Sequence, residues 1–523
     1  MELNALSISI FFLLFLIALK LVLRSPSPRK RSAPGPLALP IIGHLHHLKK
    51  PIHRTFLGLS RRYGPVVSLR LGCRPVVIVS SLPVAEECFT KNDVVLANRA
   101  RMMVGEYLAY NCTTVPTSSY GHHWRNLRRI GAIEIFSSHR LDRFTEVRKD
   151  EVGRLLRVLC RNIPPGGVAT VEPRPLLTDL TFNIMMRMLA GKRYYGVDAA
   201  EADDEEATQF RGIIRELTML VSVSYPGDFL PVLRWIDYQG YRKRLVRLAE
   251  KANRFLQGLV DERRCRRQGK ESASGGSSFM IDHLLSLQES DSESYSDRMI
   301  KGLIQTFLLA GTDTSTVTME WVLTNLINSP RVLEKATAEI DSVIGQDRLI
   351  EEADLPKLPY LHHIIDETLR LFPSVPLLLP HLSSEDCTVG GYHLPANTMV
   401  IVNAWAIHRD PELWGADAAS FVPERFEGEP ASGEGKSNKD PHKLILPFGM
   451  GRRACPGAPL AQRLLGLTLG ALVQCFEWKR DTKQEVDWTE GAGVTMPKEK
   501  PLTAVIRSRP IMMKLACESS ATT

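Results

Sequence analysis

The sequence predicts a mostly α-helical protein with a small β region, one globular domain held behind an N-terminal transmembrane helix. Three observations carry this. Helical apolar patterning runs through most of the chain, with strand-like stretches confined to residues 65–81, 375–380 and 398–404. A proline-free run from Ser296 to the residue before Pro330 leaves room for one helix of about 50 Å. Residues 5–23 carry a single charge, Lys20, and come close to the ~20 residues that a spanning helix needs. At 523 residues, 44% hydrophobic and 24% charged, the chain has the composition of a folded protein.

Residues 1–24 read as the membrane anchor. A cleavable signal peptide carries its charge ahead of the apolar run, whereas here Arg24, Arg29, Lys30 and Arg31 follow it, which places the bulk of the protein on the cytoplasmic side. Residues 1–31 hold five basic residues and one acid, so half of the net charge of +8 sits in this leader. A nucleic-acid binder clusters its charge on the folded body, and that class is excluded. The nine cysteines are scattered, with no C-x-x-C pair, which excludes a zinc module or disulfide framework. Residues 25–45 form a basic, proline-rich connector, stiff enough to set the angle of the domain that follows, residues 46–523.

Within that domain, residues 66–71 and 76–79 form a hairpin around a turn at 72–75. The segment 100–120 lacks periodicity and contains Met102 and Met103. A helix then starts at His122, with Trp124 and Arg128 on one face, a pairing suited to a carboxylate. Residues 211–237 are helical but broken at Pro226-Gly227 and Pro231, and either roof a pocket or touch a membrane surface. Residues 262–279 read as a basic, then Gly/Ser-rich surface loop.

The long helix has a defect at its middle, Ala310-Gly311-Thr312-Asp313-Thr314-Ser315. Small residues, hydroxyls and an acid in an apolar helix mark a groove where a ligand approaches the backbone. Further on, Glu367 and Arg370 share a helical face among Leu369, Leu371 and Phe372 and read as a buried pair. Pro423-Glu424-Arg425-Phe426 precedes a Gly/Ser/Lys loop. The last feature runs from Pro447 to Gly457, with one cysteine among glycines and arginines, followed by a helix over 460–473. Arginines and a helix N-terminus lower a thiol's pKa, and glycines let the backbone approach a large group, so Cys455 reads as a thiolate site.

Four of these elements occur in one order: Ala310-Gly311-x-Asp313-Thr314, Glu367-x-x-Arg370, Pro423-Glu424-Arg425-Phe426, and Phe448-x-x-Gly451-x-Arg453-x-Cys455-x-Gly457. Over essentially the whole chain they resemble the cytochrome P450 haem-thiolate monooxygenases, plant microsomal type. The stretches 381–391 and 493–497 look like the subgroup oxidising isoflavonoids, lignans and related phenylpropanoids. The resemblance implies the cytochrome P450 fold and haem b, with Cys455 as axial ligand and Phe448 beside the sulfur. It implies Trp124, Arg128 and Arg453 at the haem propionates, with His381 where relatives carry arginine. Glu367, Arg370 and Arg425 match a structural cluster. Asp313 and Thr314 match the acid–alcohol pair that relays protons.

By the same analogy Met102, Met103, Phe307, Val375, Leu377, Leu378, Val494 and Thr495 line the substrate pocket. The implied partners are an NADPH–cytochrome P450 reductase, membrane lipid and a small lipophilic substrate, with NADPH and O2 as co-substrates at the endoplasmic reticulum. Arg125, Arg129 and Arg452 are candidates for docking the reductase, Arg452 being free for surface work. The implied reaction is hydroxylation of a phenylpropanoid, flavonoid, lignan or terpenoid. Methylenedioxy-bridge formation, for which relatives can lack the threonine, and a reductase-independent isomerase or dehydratase stand as alternatives.

Overall fold

The computed structural model describes residues 9, 12–15, 31–196, 205–222, 225–268, 279–427 and 440–512. Among them no helix is long and apolar enough to cross a membrane. Apart from Ser9 and residues 12–15, the expected anchor over 1–24 lies outside the described residues, as does the Gly/Ser/Lys loop before Asp440.

Helices dominate, and the longest organises the rest. It spans Asp297–Asn328, starts where Ser296 accepts a hydrogen bond from the Met299 N–H, and stops one residue short of Pro330. From Ile300 to Ile327 nearly all of its residues are buried, on every face. A helix apolar all round must be enclosed by others. Here helices Pro173–Ala190, Pro359–Leu371 and Ala458–Cys475 surround it. The surface loop expected over 262–279 is shorter than read, because helix Tyr241–Gln268 runs into it.

The strands are few. β1 (Val66–Leu71) and β2 (Arg74–Val79) pair antiparallel around a two-residue turn, tighter than the four-residue turn expected. Gly72 makes this possible with φ +57°. Two further strands, β3 (His381–Leu382) and β4 (Met399–Val402), complete this sheet in the order β1-β2-β4-β3, with β4 parallel to β2 and the two-residue β3 antiparallel to β4. The sheet thereby carries His381 to the edge of the candidate site. Residues 375–380, expected to be extended, instead turn, with Leu378 at φ +49°.

The hairpin turn has two neighbours. The Gly72 N–H donates to the Ile42 carbonyl (3.1 Å) and the Cys73 N–H to the Phe229 carbonyl (2.9 Å). The Asp228 carbonyl accepts from Arg74 Nε (2.6 Å), while its carboxylate accepts from the Met103 N–H (2.8 Å) at the start of helix Met103–Leu108. Arg234 pairs with Glu106 on that same short helix. The broken segment after residue 225 is thus fastened to both the hairpin and the segment around Met103.

Candidate active site

The loop before helix Ala458–Cys475 is built on left-handed glycines, Gly449 at φ +70° and Gly451 at φ +69°. A Cβ on Gly451 would stand 2.6 Å from Asp93 Oδ1 and 2.7 Å from the Phe89 carbonyl, so no other residue fits. The Cys455 N–H returns to the Phe448 carbonyl (2.8 Å), closing the loop, and the half-buried Phe448 side chain packs against the main core. The cysteine is open on one side and enclosed by protein on the others. Burial pushes its pKa up. The backbone N–H groups of Gly457 and Ala458, at the helix N-terminus, and the Arg128 charge pull the other way.

Behind the loop stands a buried ionic cluster. Glu367 and Arg370 are both fully buried and paired twice, at 2.6 and 2.8 Å. Arg370 also donates to the carbonyls of His408 and Ala418 at 2.6 Å and of Ser420 at 3.1 Å. Arg425 Nε reaches Glu367 at 3.3 Å. His408 carries this rigidity to the cysteine loop. Its Nδ1–H donates to the Arg370 carbonyl (3.1 Å), and its Nε2 accepts from the Leu446 N–H (2.7 Å), one residue before Pro447. Burial and the Arg370 charge hold the His408 pKa down at about 3, so the ring is neutral and suited to this two-way bridge.

Beside the cysteine three arginines converge. Arg453 donates to the carbonyls of Ala97, Val115 and Ser118, and lies 4.2 Å over the Trp124 ring. Arg99 donates to the carbonyls of Leu379 and Pro380 while its buried Nε has no partner. Arg128 lies near enough to act on Cys455. Burial drives Arg99 down to about 10, and burial with Arg99 and Arg128 drives Arg453 down to about 9. No carboxylate among the described residues offsets any of the three. Such a cluster is stable only with an anion beside it. The orphaned Arg99 Nε, the uncompensated charge and the accessible thiol fit a group such as haem, which would bring anionic propionates to the arginines and a thiolate-binding iron.

Sequence reasoning missed Arg99 and His408, since nothing in their local pattern distinguishes them. Other readings change in detail. The Trp124 N–H, expected to meet an anion, donates to the Val115 carbonyl at 3.2 Å, and the ring serves as a platform under Arg453. His381 is buried and its Nδ1–H donates to the Leu96 carbonyl (2.7 Å). Burial, with Arg99 and Arg453, holds its pKa well below the usual value, so Nε2 is an acceptor unless an anion recharges the ring. Arg452 is not free, because it pairs with Asp93 (2.6 Å) and donates to Tyr120 (3.1 Å).

On the long helix, Ala310 is exposed while Thr306 and Thr314, four residues to either side, are half-buried. This open stripe sits mid-way along an otherwise enclosed helix. Thr312, Thr314 and Ser315 each donate back to the carbonyl four residues earlier, at 2.6, 2.7 and 2.9 Å. Asp313 accepts from the Thr495 hydroxyl at 2.7 Å. Of the other residues read as pocket lining, Phe307 packs edge-to-face on Phe136 and Met103 is fully buried. Met102 and Leu377 sit against the cluster around Leu69 and Ile78, and Leu378 against that around Val66 and Leu96. Val375 is half-buried and Val494 exposed.

Comparison with known proteins agrees with this geometry. The family model described as "Cytochrome P450" matches residues 33–505. An isoflavone 3'-hydroxylase of Medicago truncatula is 52% identical over 506 residues, covering 96% of this chain and 98% of the relative. An isoflavone 2'-hydroxylase of Glycyrrhiza echinata is 48% identical, covering 98% and 99%. A (+)-piperitol/(+)-sesamin synthase of Sesamum radiatum is 50% identical, covering 91% and 90%. The chain belongs to the cytochrome P450 family and is a monooxygenase of that family, which implies a haem-thiolate iron and the use of O2.

Proposed function

We propose that this monooxygenase hydroxylates a lipophilic plant specialised metabolite of the phenylpropanoid, flavonoid, lignan or terpenoid classes, with NADPH-derived electrons delivered by a reductase. The observation that carries the assignment is the accessible Cys455 sulfur within reach of Arg128, one of a cationic cluster that lacks its anion. Cys455 would ligate the haem iron, and Arg99, Arg128 and Arg453 would hold the propionates. The bound haem supplies the redox centre at which O2 is activated.

The protein's own work is positional. Arg370 and His408 fix the loop that presents the sulfur, and the Gly457 and Ala458 N–H groups favour the thiolate against the burial that raises its pKa. Phe448 keeps water from it. The Ala310 opening admits substrate and oxygen beside Asp313 and Thr314. Asp313 takes protons from solvent, and the Thr314 oxygen, with its own hydrogen on Ala310, accepts a hydrogen bond and so positions the group that carries them. This threonine and the hydroxylase relatives favour hydroxylation over bridge formation.

Around the β1–β2 turn, Leu37, Ile41, Val232, Trp235 and Ile236 are all exposed, Leu37 and Trp235 by 94% and 86%. We assign this face to lipid of the endoplasmic reticulum. The test is turnover in microsomes containing reductase and NADPH, against isoflavones, flavones, lignans and terpenoids. A hydroxylated product and a thiolate-type carbon monoxide spectrum are expected. A methylenedioxy product replaces the hydroxylation reading, and isomerisation or dehydration of an organic peroxide with no NADPH-dependent product from any panel compound refutes the monooxygenase reaction.

A further inference from the structure

Asp313, Val317 and Trp321 recur every four residues and so occupy one face of the long helix. The turn around Met496 lies along that face and is gripped at two points. The Thr495 hydroxyl donates to Asp313 Oδ2 at 2.7 Å, and Trp321 Nε1 donates to the Met496 carbonyl at 2.8 Å. A third bond, from the Met496 N–H to the Ser374 carbonyl at 2.9 Å, ties the turn down from the other side. Met496 itself is buried with Val317, Trp321 and Phe372. Flanked by these anchors, and stiff at χ1 because it is β-branched, Thr495 has little freedom to turn its hydroxyl elsewhere.

We propose that Thr495 is a positioning residue for the Asp313 carboxylate, a role that rests on the proton-relay reading of Asp313. By occupying Oδ2 it fixes the rotamer of the acid and leaves Oδ1 to take and give protons. A threonine read from the sequence as pocket wall thus belongs to the proton path. The productive reaction is RH + O2 + NADPH + H+ → ROH + H2O + NADP+. When proton delivery is mistimed, O2 leaves as peroxide: O2 + NADPH + H+ → H2O2 + NADP+. Added hydrogen peroxide brings its own protons and electrons (RH + H2O2 → ROH + H2O), so turnover driven by it takes up no proton from solvent.

The experiment compares Thr495→Val, which keeps the shape and loses the hydroxyl, with Thr495→Ser, which keeps the hydroxyl. The panel compound turned over fastest is the probe. Product formed per NADPH is expected to fall about tenfold in Thr495→Val, the scale of one charge-assisted hydrogen bond, with a matching rise in peroxide. The carbon monoxide spectrum and the melting temperature should stay at wild-type values, and Thr495→Ser should restore coupling. Independently of turnover, the Asp313 carboxylate stretch, identified by infrared difference against Asp313→Asn, should shift in Thr495→Val and return in Thr495→Ser. Wild-type coupling in Thr495→Val, an unshifted band, or a changed product pattern without peroxide release would overturn the proposal. Wild-type coupling in Asp313→Asn overturns the relay reading itself, whereas uncoupling there but not in Thr495→Val overturns only the role of Thr495.

Discussion

Replacing Arg370 with methionine tests how much the buried ionic cluster contributes. The side chain is fully buried and makes five hydrogen bonds, two to Glu367 and three to the carbonyls of His408, Ala418 and Ser420. Arg370→Met leaves the buried Glu367 carboxylate with only the Val422 N–H (2.9 Å) and the longer contact to Arg425. Stranding a buried charge costs about 3–5 kcal/mol. Three carbonyls losing their donor add about 1 kcal/mol each. The whole is about 6–8 kcal/mol, comparable with the total stability of an ordinary domain, roughly 5–15 kcal/mol. Arg370→Met should therefore yield little folded protein, read by recovery after purification and by denaturant unfolding followed by tryptophan fluorescence. Arg370→Lys keeps the charge but not the planar fork and should fall about halfway. Adding Glu367→Gln to Arg370→Met should recover part of the loss, because no stranded carboxylate remains. If Arg370→Met unfolds within about 1 kcal/mol of wild type, or the double variant is no better than the single, the reasoning fails.

Other expectations follow from the same structure. Cys455→Ser should abolish the thiolate-type carbon monoxide spectrum and turnover, and retention of both would refute the ligand assignment. Arg99→Leu removes the bonds to the Leu379 and Pro380 carbonyls, which should cost about 1–3 kcal/mol of stability, and should release haem about tenfold faster, measured by transfer to apomyoglobin, because its Nε has no protein partner and is free for a propionate. Burial pushes the Glu490 carboxyl up, but hydrogen bonds from His53 and Arg54 and the Arg409 charge prevail and hold it at about 2 against an ordinary 4.5. Its contribution, about 3 kcal/mol, is present above pH 4.5 and is lost as pH falls from there towards 2. Glu490→Gln should be less stable at pH 7 and show a flatter acid slope in thermal unfolding. Arg125→Glu with Arg129→Glu should raise the apparent KM for reductase without changing peroxide-driven turnover, and an unchanged KM would remove these residues from the docking face.

What the sequence disclosed was local. Ser296 and Pro330 bracket the long helix because capping and proline chemistry act within a turn. The cysteine loop was legible because glycine, arginine and helix signals are adjacent in the chain. Partner choice across the fold was not. Arg452 finds Asp93, Glu490 finds His53 and Trp405, and Thr495 finds Asp313, across separations of 85 to 437 residues that leave no periodic trace. Arg99 follows the same logic. Its meaning comes from Arg453 and Arg128 lying near it without a carboxylate, which only three dimensions reveal. The bend at Leu378 was missed because an apolar run with flanking prolines reads equally as strand or turn.

The fastening of the segment around Asp228 also bears on the pace of the reaction. A ligand entering between it and helix Met103–Leu108 must break the Asp228 contact to the Met103 N–H and the pair of Arg234 with Glu106. Together these favour the shut arrangement by roughly 1–3 kcal/mol, so the open form is a minority of roughly one molecule in ten to one in a hundred. Binding from solution is then slowed by that fraction, while a bound substrate or product leaves only as often as the segment lifts. Residence time, rather than diffusion, sets how quickly one molecule can replace another.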